Sequence, residues 1–386
     1  MNQAIKTSNR SRIFNLFLEK GLLSRRDVQM SLDLSLPTIT QNLGHLLDEG
    51  LICESGSIAN TGGRNATTYA LVKAARVAIG VDITNHYIIV VLVDLAGKIV
   101  AKSKAKVLFD RSDSYYQKLA DMIEKILREN SIADELVLGV GIGLPGLTDG
   151  NNHKIVYGKI LDFDGVTSDE FGKYIQFPVT IHNDANAACF AELFSEKDGV
   201  NNGFYIMLST NVGGAVFING SVYIGDALRS GEVGHLIIHP EGRRCYCGCQ
   251  GCLDPYCSAI NLTSISDGDI DIFFQMLDLG NADAHDRWEA FLGDLALAIK
   301  DVRMLFNCNI ILGGFIGAKM GKHLDTLKRM MSAYSTFDNN FDYIVICKYQ
   351  DEAIASGAAL SHIVPFIQQY SAYTHPYGAF KQQGMV

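Results

Sequence analysis

The chain has 386 residues, of which 48% are apolar and 19% are charged, a composition typical of a globular protein with room for two or three domains. Its longest apolar runs, such as residues 87–93, are far shorter than the ~18 residues that a membrane span requires. The net charge is −9, but residues 1–70 carry seven Lys or Arg against six acidic residues. The slight positive net charge of this segment permits a nucleic-acid-binding head on an acidic body. Because no signal peptide is recognisable at the start, we expect a cytoplasmic protein.

Three short helices are predicted in the first fifty residues. Apolar residues recur at helical spacing across residues 9–19. Ser24 is a good N-cap for a second helix, and Asp27 completes a capping box. Ser35 begins a third helix, with Pro37 in its first turn. The apolar face of that helix consists of Ile39, Leu43, Leu46 and Leu47. Its predicted outward face consists of Thr38, Thr40, Gln41, Asn42 and His45.

Small hydrogen-bonding side chains on the third helix suit base edges and phosphates in a major groove. A plain solvated helix is the alternative, but the following segment favours DNA binding. Residues 51–54 and 67–71 are predicted to be two strands around a glycine-rich loop that carries Gly62, Gly63 and Arg64. An arginine on flexible backbone can enter the narrow, negative minor groove.

Residues 1–75 are therefore predicted to form a winged helix-turn-helix domain that binds a double-stranded DNA operator. Helix-turn-helix proteins usually read two half-sites as dimers, so we expect a homodimer or higher homo-oligomer.

After residue 76 the pattern predicts an α/β unit that is repeated once along the chain. Strands are predicted at residues 77–81, 87–93, 98–107, 136–143, 179–182, 204–208, 215–218, 222–224, 309–312 and 343–347. Helices are predicted at residues 114–128, 185–193, 287–304, 318–331 and 353–363.

The segment 231–257 holds five of the nine cysteines and two histidines. Four of these residues, His235, Cys245, Cys247 and Cys252, can bind Zn²⁺ tetrahedrally around a glycine-rich knuckle. Buried or disulfide-bonded cysteines are the alternative. Clustered thiols in a chain expected to be cytoplasmic favour a metal, so we predict one structural zinc.

Gly-Glu-Val-Gly-His at 231–235 and Cys-x-Cys-Gly-x-x-Gly-Cys-Leu-Asp at 245–254 closely resemble the signature of the ROK family, a group of bacterial sugar kinases and sugar-responsive repressors. The resemblance implies that the histidine and the three cysteines hold zinc. It also implies that Glu232 and His235 face a sugar. Asp254 stands where the family pattern has glutamate and is a further sugar-site candidate.

The resemblance also implies a two-lobed sugar-kinase or actin-like ATPase fold over residues 76–386. The first lobe would comprise about 76–183 with the C-terminal segment 366–386, and the second about 184–365. Asn-Asp-Ala-Asn at 183–186 resembles the stretch whose aspartate, here Asp184, is the general base of the kinases. Asp184 and Asn183 are thus sugar-site candidates, as are Pro145 and Gly146 in the cleft floor. A helix N-cap is the alternative role for Asp184.

Two loops bear on whether the chain is an enzyme. Family kinases have Asp-x-Gly-Gly-Thr, whose glycines let backbone amides approach the ATP phosphates. This chain has Thr84-Asn85-His86 in place of the last three residues, and the second phosphate loop, at residues 209–214, is half retained. The head resembles that of ROK repressors, including Gly62-Gly63-Arg64, whereas the sugar kinases typically lack one.

We therefore predict a sugar-responsive repressor of carbohydrate-metabolism genes. One alternative is an ATP-dependent kinase of a hexose or N-acetylhexosamine with an added head. The other is an activator that works through a protein partner.

Overall fold

The first part of the chain, up to Leu71, forms a small unit whose described residues make three helices and three strands. The computed structural model of the chain describes residues 2–58, 66–195, 201–334, 337 and 340–369. The elements of the first unit are α1 (Asn2–Lys20), β1 (Leu22–Ser24), α2 (Arg25–Leu32), α3 (Leu36–Asp48), β2 (Ile52–Ile58) and β3 (Ala66–Leu71). The strands pair antiparallel in the order β1-β3-β2.

The predicted caps of this unit are confirmed. The Ser24 amide donates to the Asp27 carboxylate at 2.7 Å, and the Asp27 amide donates to the Ser24 hydroxyl oxygen at 3.2 Å, so the capping box is complete. Ser35 caps α3 by accepting from the Thr38 amide. Strand β1, which the sequence analysis did not predict, closes the small sheet against β3.

A five-stranded sheet follows, in the order β10-β7-β4-β5-β6. Strands β4, β5 and β6 form the predicted antiparallel meander, whereas β7 and β10 lie parallel to β4. The elements of this part are β4 (Val77–Ile83), β5 (Tyr87–Asp94), β6 (Ile99–Lys106), α4 (Asp113–Glu129), β7 (Val137–Leu144), β8 (Leu147–Thr148), β9 (Ile155–Tyr157), α5 (Ser168–Gly172), β10 (Val179–Asn183) and α6 (Asp184–Ser195).

The second sheet repeats this arrangement, in the order β13-β12-β11-β14-β15. Its first three strands are antiparallel and its last two parallel to β11, so the predicted duplication of an α/β unit is confirmed. The elements are β11 (Gly203–Leu208), β12 (Val212–Ile218), β13 (Ser221–Tyr223), α7 (Asp254–Cys257), α8 (Ala259–Thr263), α9 (Ile270–Asp278), α10 (Ala282–Phe306), β14 (Asn309–Gly313), α11 (Gly314–Gly317), α12 (Leu324–Met331), β15 (Ile344–Ile346) and α13 (Ala353–Gln369).

Helices α6 and α13 lie between the two sheets. Helix α13 packs on β4 and β7 at backbone distance, because a Cβ on Gly80 or Gly141 would overlap a carbonyl oxygen of that helix. Helix α6 buries its apolar residues against the second sheet and also contacts α13. The two helices therefore form a layer shared by both halves, and lobe boundaries near residues 184 and 365 stay predictions.

The small N-terminal unit shares its core with the body. Its buried residues continue through Leu71 and Ala75 into Ile363 and Ile367 of α13. The guanidinium of Arg76 lies 5.5 Å from the ring centroid of Phe366. Among the described residues, no helix is both long enough and apolar enough to cross a bilayer.

Candidate functional site

A cleft opens where loops from both sheets meet. Its lining residues are Pro145, Gly146, Leu147, Tyr157, Gly158, Lys159, Ile160, Asn183, Asp184, Ala185, Met207, Asn211, Val212, Gly213, Gly214, Glu232, His235 and Tyr246. Six of the seven predicted sugar-site residues are thus brought together from three separate stretches of sequence.

Asn183 and Asp184 lie at the junction of β10 and α6. The side-chain amide of Asn183 donates to the Gly146 carbonyl at 3.0 Å, and its oxygen accepts from the Asn186 amide at 2.9 Å. Asn183 therefore ties the Pro145-Gly146 loop to the start of α6 and satisfies one of the helix's first amides. The Asp184 carboxylate accepts from the Ala185 amide at 2.8 Å and lines the cleft.

The charge on Asp184 is sensitive to its surroundings. Burial, reinforced by the negative charge of Glu232, raises the pKa of Asp184 to about 7. Partial burial also raises the pKa of Glu232. Above neutral pH these two carboxylates can accept hydrogen bonds from several hydroxyl groups of one small polyol.

His235 joins the cleft to a cluster of cysteines. Its Nδ1 atom lies 3.7 Å from the Sγ of Cys245. Its Nε2 atom lies on the other side of the ring, 3.3 Å from the Tyr246 hydroxyl and 3.8 Å from the Glu232 carboxylate. One imidazole nitrogen therefore faces the sulfurs, while the other faces the cleft.

The ligand atoms of His235, Cys245, Cys247 and Cys252 all lie within 4.8 Å of one another. The sulfurs of Cys247 and Cys252 are 3.8 Å apart. A tetrahedral ion with bonds of about 2.0–2.3 Å needs ligand atoms roughly 3.3–3.8 Å apart, so this set fits a bound metal ion.

Gly248 and Gly251 make the turns between these ligands with φ of 96° and 81°, backbone conformations that side chains rarely adopt. Cys249 is exposed and outside the set, and all nine cysteines are free.

The profile of the ROK family matches residues 78–363, more than half of the chain. The chain belongs to the ROK family. It is 28% identical over 318 residues to the xylose repressor of Bacillus spizizenii, covering 80% of this chain and 82% of the relative. It is 26% identical over 253 residues to the DNA-binding transcriptional dual regulator NagC of Escherichia coli K12, covering 65% of this chain and 62% of NagC. The crystal structure of a ROK family transcriptional regulator, a homologue of the E. coli MLC protein, has a TM-score of 0.72 at 24% identity, covering 95% of this chain and 98% of that one.

Within this ROK fold, Asp254 is the one predicted sugar-site residue that does not line the cleft. Asp254 is 5% exposed, and its carboxylate accepts from the Val212 amide at 2.7 Å. Its buried carboxylate therefore fixes the loop before β12. Its side chain is one methylene shorter than the glutamate of the family pattern.

In the segment that aligns with the first phosphate loop of the family kinases, three backbone amides donate within the segment itself. The Thr84 amide donates to the Tyr87 carbonyl at 3.0 Å. The amides of His86 and Tyr87 donate to the Thr84 hydroxyl at 3.4 and 3.0 Å. Residues 84–87 therefore form a tight, internally hydrogen-bonded turn. In the second loop the Val212 amide donates to the Asp254 carboxylate.

The outward face predicted for α3 is partly wrong. Thr40, Gln41 and His45 are exposed and Thr38 is half-buried. Asn42, however, is 4% exposed and its side-chain amide donates to the Thr38 carbonyl at 2.7 Å, so it packs with the core face. The wing residues Gly62, Gly63 and Arg64 lie outside the described residues.

Among the cleft residues that were not predicted are Tyr246 and Lys159. Tyr246 lies between two cysteines of the cluster in the sequence, so its place near His235 and the cleft could have been predicted. Lys159 follows β9 in a segment without a motif, so only the folded chain places it at the cleft.

Proposed function

We propose that this ROK protein is a sugar-responsive, DNA-binding transcriptional repressor. The proposal is carried by the cleft, which gathers Asn183, Asp184, Glu232 and His235. In the two loops that correspond to the phosphate loops of the kinases, several backbone amides already donate to groups of the chain itself. The repressor names of its relatives support the same function.

The N-terminal unit is proposed to be a winged helix-turn-helix that reads an operator. Helices α2 and α3 are joined by a short turn, and β2 and β3 form the hairpin that would be the wing. The exposed side chains of Thr40, Gln41 and His45 would face the major groove. Because such heads usually read paired half-sites, the active form is proposed to be a homodimer or higher homo-oligomer.

The cysteine cluster is proposed to bind zinc. Three thiolates and one imidazole are the donors that structural zinc sites use. Zinc would fix the knuckle at residues 245–252 and hold the His235 ring by its Nδ1 atom. Nε2 would then be left for a sugar hydroxyl or a neighbouring side chain. His235 would thus belong both to the metal site and to the cleft.

The first prediction tests the repressor against the kinase. A thermal-shift panel of D-xylose, D-glucose, D-mannose, N-acetylglucosamine and their phosphates should contain a compound that raises the melting temperature, because a ligand of the folded state stabilises it. That compound should change the affinity for an operator duplex selected from a random library. ADP release with ATP should stay at background, and turnover in the range of ~1 to 10³ per second would establish the kinase instead.

The second prediction concerns Arg64. Arg64→Ala should weaken operator binding roughly tenfold and lower the slope of log affinity against log salt by about 1, because one phosphate or minor-groove contact is lost. Melting temperature and metal content should not change. Equal affinity across a salt series would contradict the wing assignment, and Arg12→Ala, whose guanidinium donates to the Leu32 carbonyl, is the control arginine.

A further inference from the structure

A hydrogen-bonded group of side chains joins strand β10, which ends at Asn183 of the cleft, to helix α13. The Thr180 hydroxyl oxygen lies 2.9 Å from the Nε2 of His182 and 2.9 Å from the Nε2 of His362. The Ser361 hydroxyl oxygen lies 2.9 Å from the same His182 nitrogen. We call these four residues the Thr180 bridge.

The donors in the bridge can be assigned. Ser361 donates its own proton to the Ala358 carbonyl at 2.6 Å, so its oxygen accepts from His182. His182 Nε2 therefore carries a hydrogen, which it also shares with the Thr180 oxygen. Thr180 is then able to donate to His362. Burial lowers the pKa of both His182 and His362 and so favours the neutral form of each ring, in agreement with this order of donors.

One end of the bridge adjoins residues that line the cleft. Thr180 and His182 belong to β10, whose last residue is Asn183, and Asp184 follows it. Asn183 holds the Pro145-Gly146 loop. A movement of this strand end on sugar binding would therefore reach the two bridge residues that the strand carries.

The other end of the bridge lies near the DNA-binding head. Ser361 and His362 are in the second half of α13, close to Phe366, which faces the Arg76 guanidinium. The same part of α13 shares a core with Ala75 and with the buried face of the head. Space for the His362 ring is provided by Gly139, where a Cβ would overlap the imidazole.

We propose that Thr180 is a positioning residue whose hydroxyl couples strand β10 to α13 and so to the head. The inference rests on the proposed function, because it names how that cleft regulates that head. A ligand can change DNA affinity only through a difference between two states of the chain. The bridge supplies a directional contact that breaks or holds as the strand and the helix shift against each other.

The test compares operator dissociation constants with and without the panel sugar that raises the melting temperature most. The wild-type chain should show a sugar-dependent change of about 5- to 150-fold, the usual range of allosteric coupling. Thr180→Val keeps the shape but removes the hydroxyl, and it should bind sugar and operator each within about threefold of wild type. The change that sugar causes in the operator dissociation constant of this variant should fall below about threefold. Thr180→Ser should restore the response.

A matched control is Ser356→Ala on the same helix, since the buried Ser356 hydroxyl has no hydrogen-bond partner among the described residues. This variant should respond like wild type. A full response in Thr180→Val, or loss of sugar and operator binding together, would overturn the coupling role. If the wild-type chain itself shows no sugar-dependent change, it is the proposed function that fails.

Discussion

Cys247→Ser is expected to release the metal and to destabilise the body by at least about 3 kcal/mol, because loss of a structural metal ranks among the most damaging single changes. For a body of this size that corresponds to a fall in melting temperature of roughly 5–10 °C. The reason is local: the knuckle carries few apolar side chains, and its backbone makes turns at Gly248 and Gly251 that the ligands must hold together. Metal analysis of protein purified without chelator should find about one zinc per wild-type chain and well under half in the variant.

Cys249→Ser is the matched control, because Cys249 lies in the same knuckle but is exposed and outside the ligand set. It should keep both the zinc and the melting temperature. Loss of zinc from Cys249→Ser with retention in Cys247→Ser would mean that the ligands are assigned incorrectly. Substoichiometric zinc in the wild-type chain would contradict the structural site as a whole.

The parts of the chain that could be predicted are those whose determinants are local. Four metal ligands within one short stretch of sequence, with glycines between them, can meet only in a few ways. The meander of β4, β5 and β6 likewise follows from adjacent strands with short connections. The sugar residues come from distant stretches, and it was the resemblance to a family that brought them together.

The failures arise where a distant partner decides the outcome. The Asp254 carboxylate accepts from the Val212 amide, 42 residues away in sequence, and the local sequence gives no sign of that contact. Strand β1 has three residues and exists only by pairing with β3. The single helix predicted at residues 318–331 is instead a 3₁₀ turn at Met320–His323 followed by α12, and the poor helix propensity of Gly321 accounts for the break.

Two other failures could have been avoided by closer attention to spacing. Asn42 is three residues after Ile39 and four before Leu46, so it falls within the apolar stripe of α3. Helix α9 starts at an N-cap, Asp269, whose carboxylate accepts from the amides of Asp271 and Ile272. That cap was visible in the sequence.

Asp184→Asn is expected to weaken sugar binding by ten- to a hundredfold while leaving operator binding unchanged. The substitution preserves size and one acceptor oxygen, but it removes the charge that strengthens hydrogen bonds from sugar hydroxyls, an effect of roughly 1.5–3 kcal/mol. The Asn183 contacts that fix the loop and the start of α6 do not involve the Asp184 side chain. The fold should therefore survive, and titration calorimetry with the panel sugar gives the affinity directly.

The pH dependence of this variant provides an independent check. Because the pKa of Asp184 is raised to about 7, the wild-type carboxylate gains a proton as pH falls from about 8 to about 6, and sugar affinity should drop roughly tenfold. The amide introduced by Asp184→Asn cannot titrate, so this part of the pH dependence should disappear, while Glu232, whose pKa is also raised, still contributes. An unchanged sugar response in Asp184→Asn would place the effector elsewhere, whereas loss of operator binding without sugar would show that Asp184 mainly supports the fold.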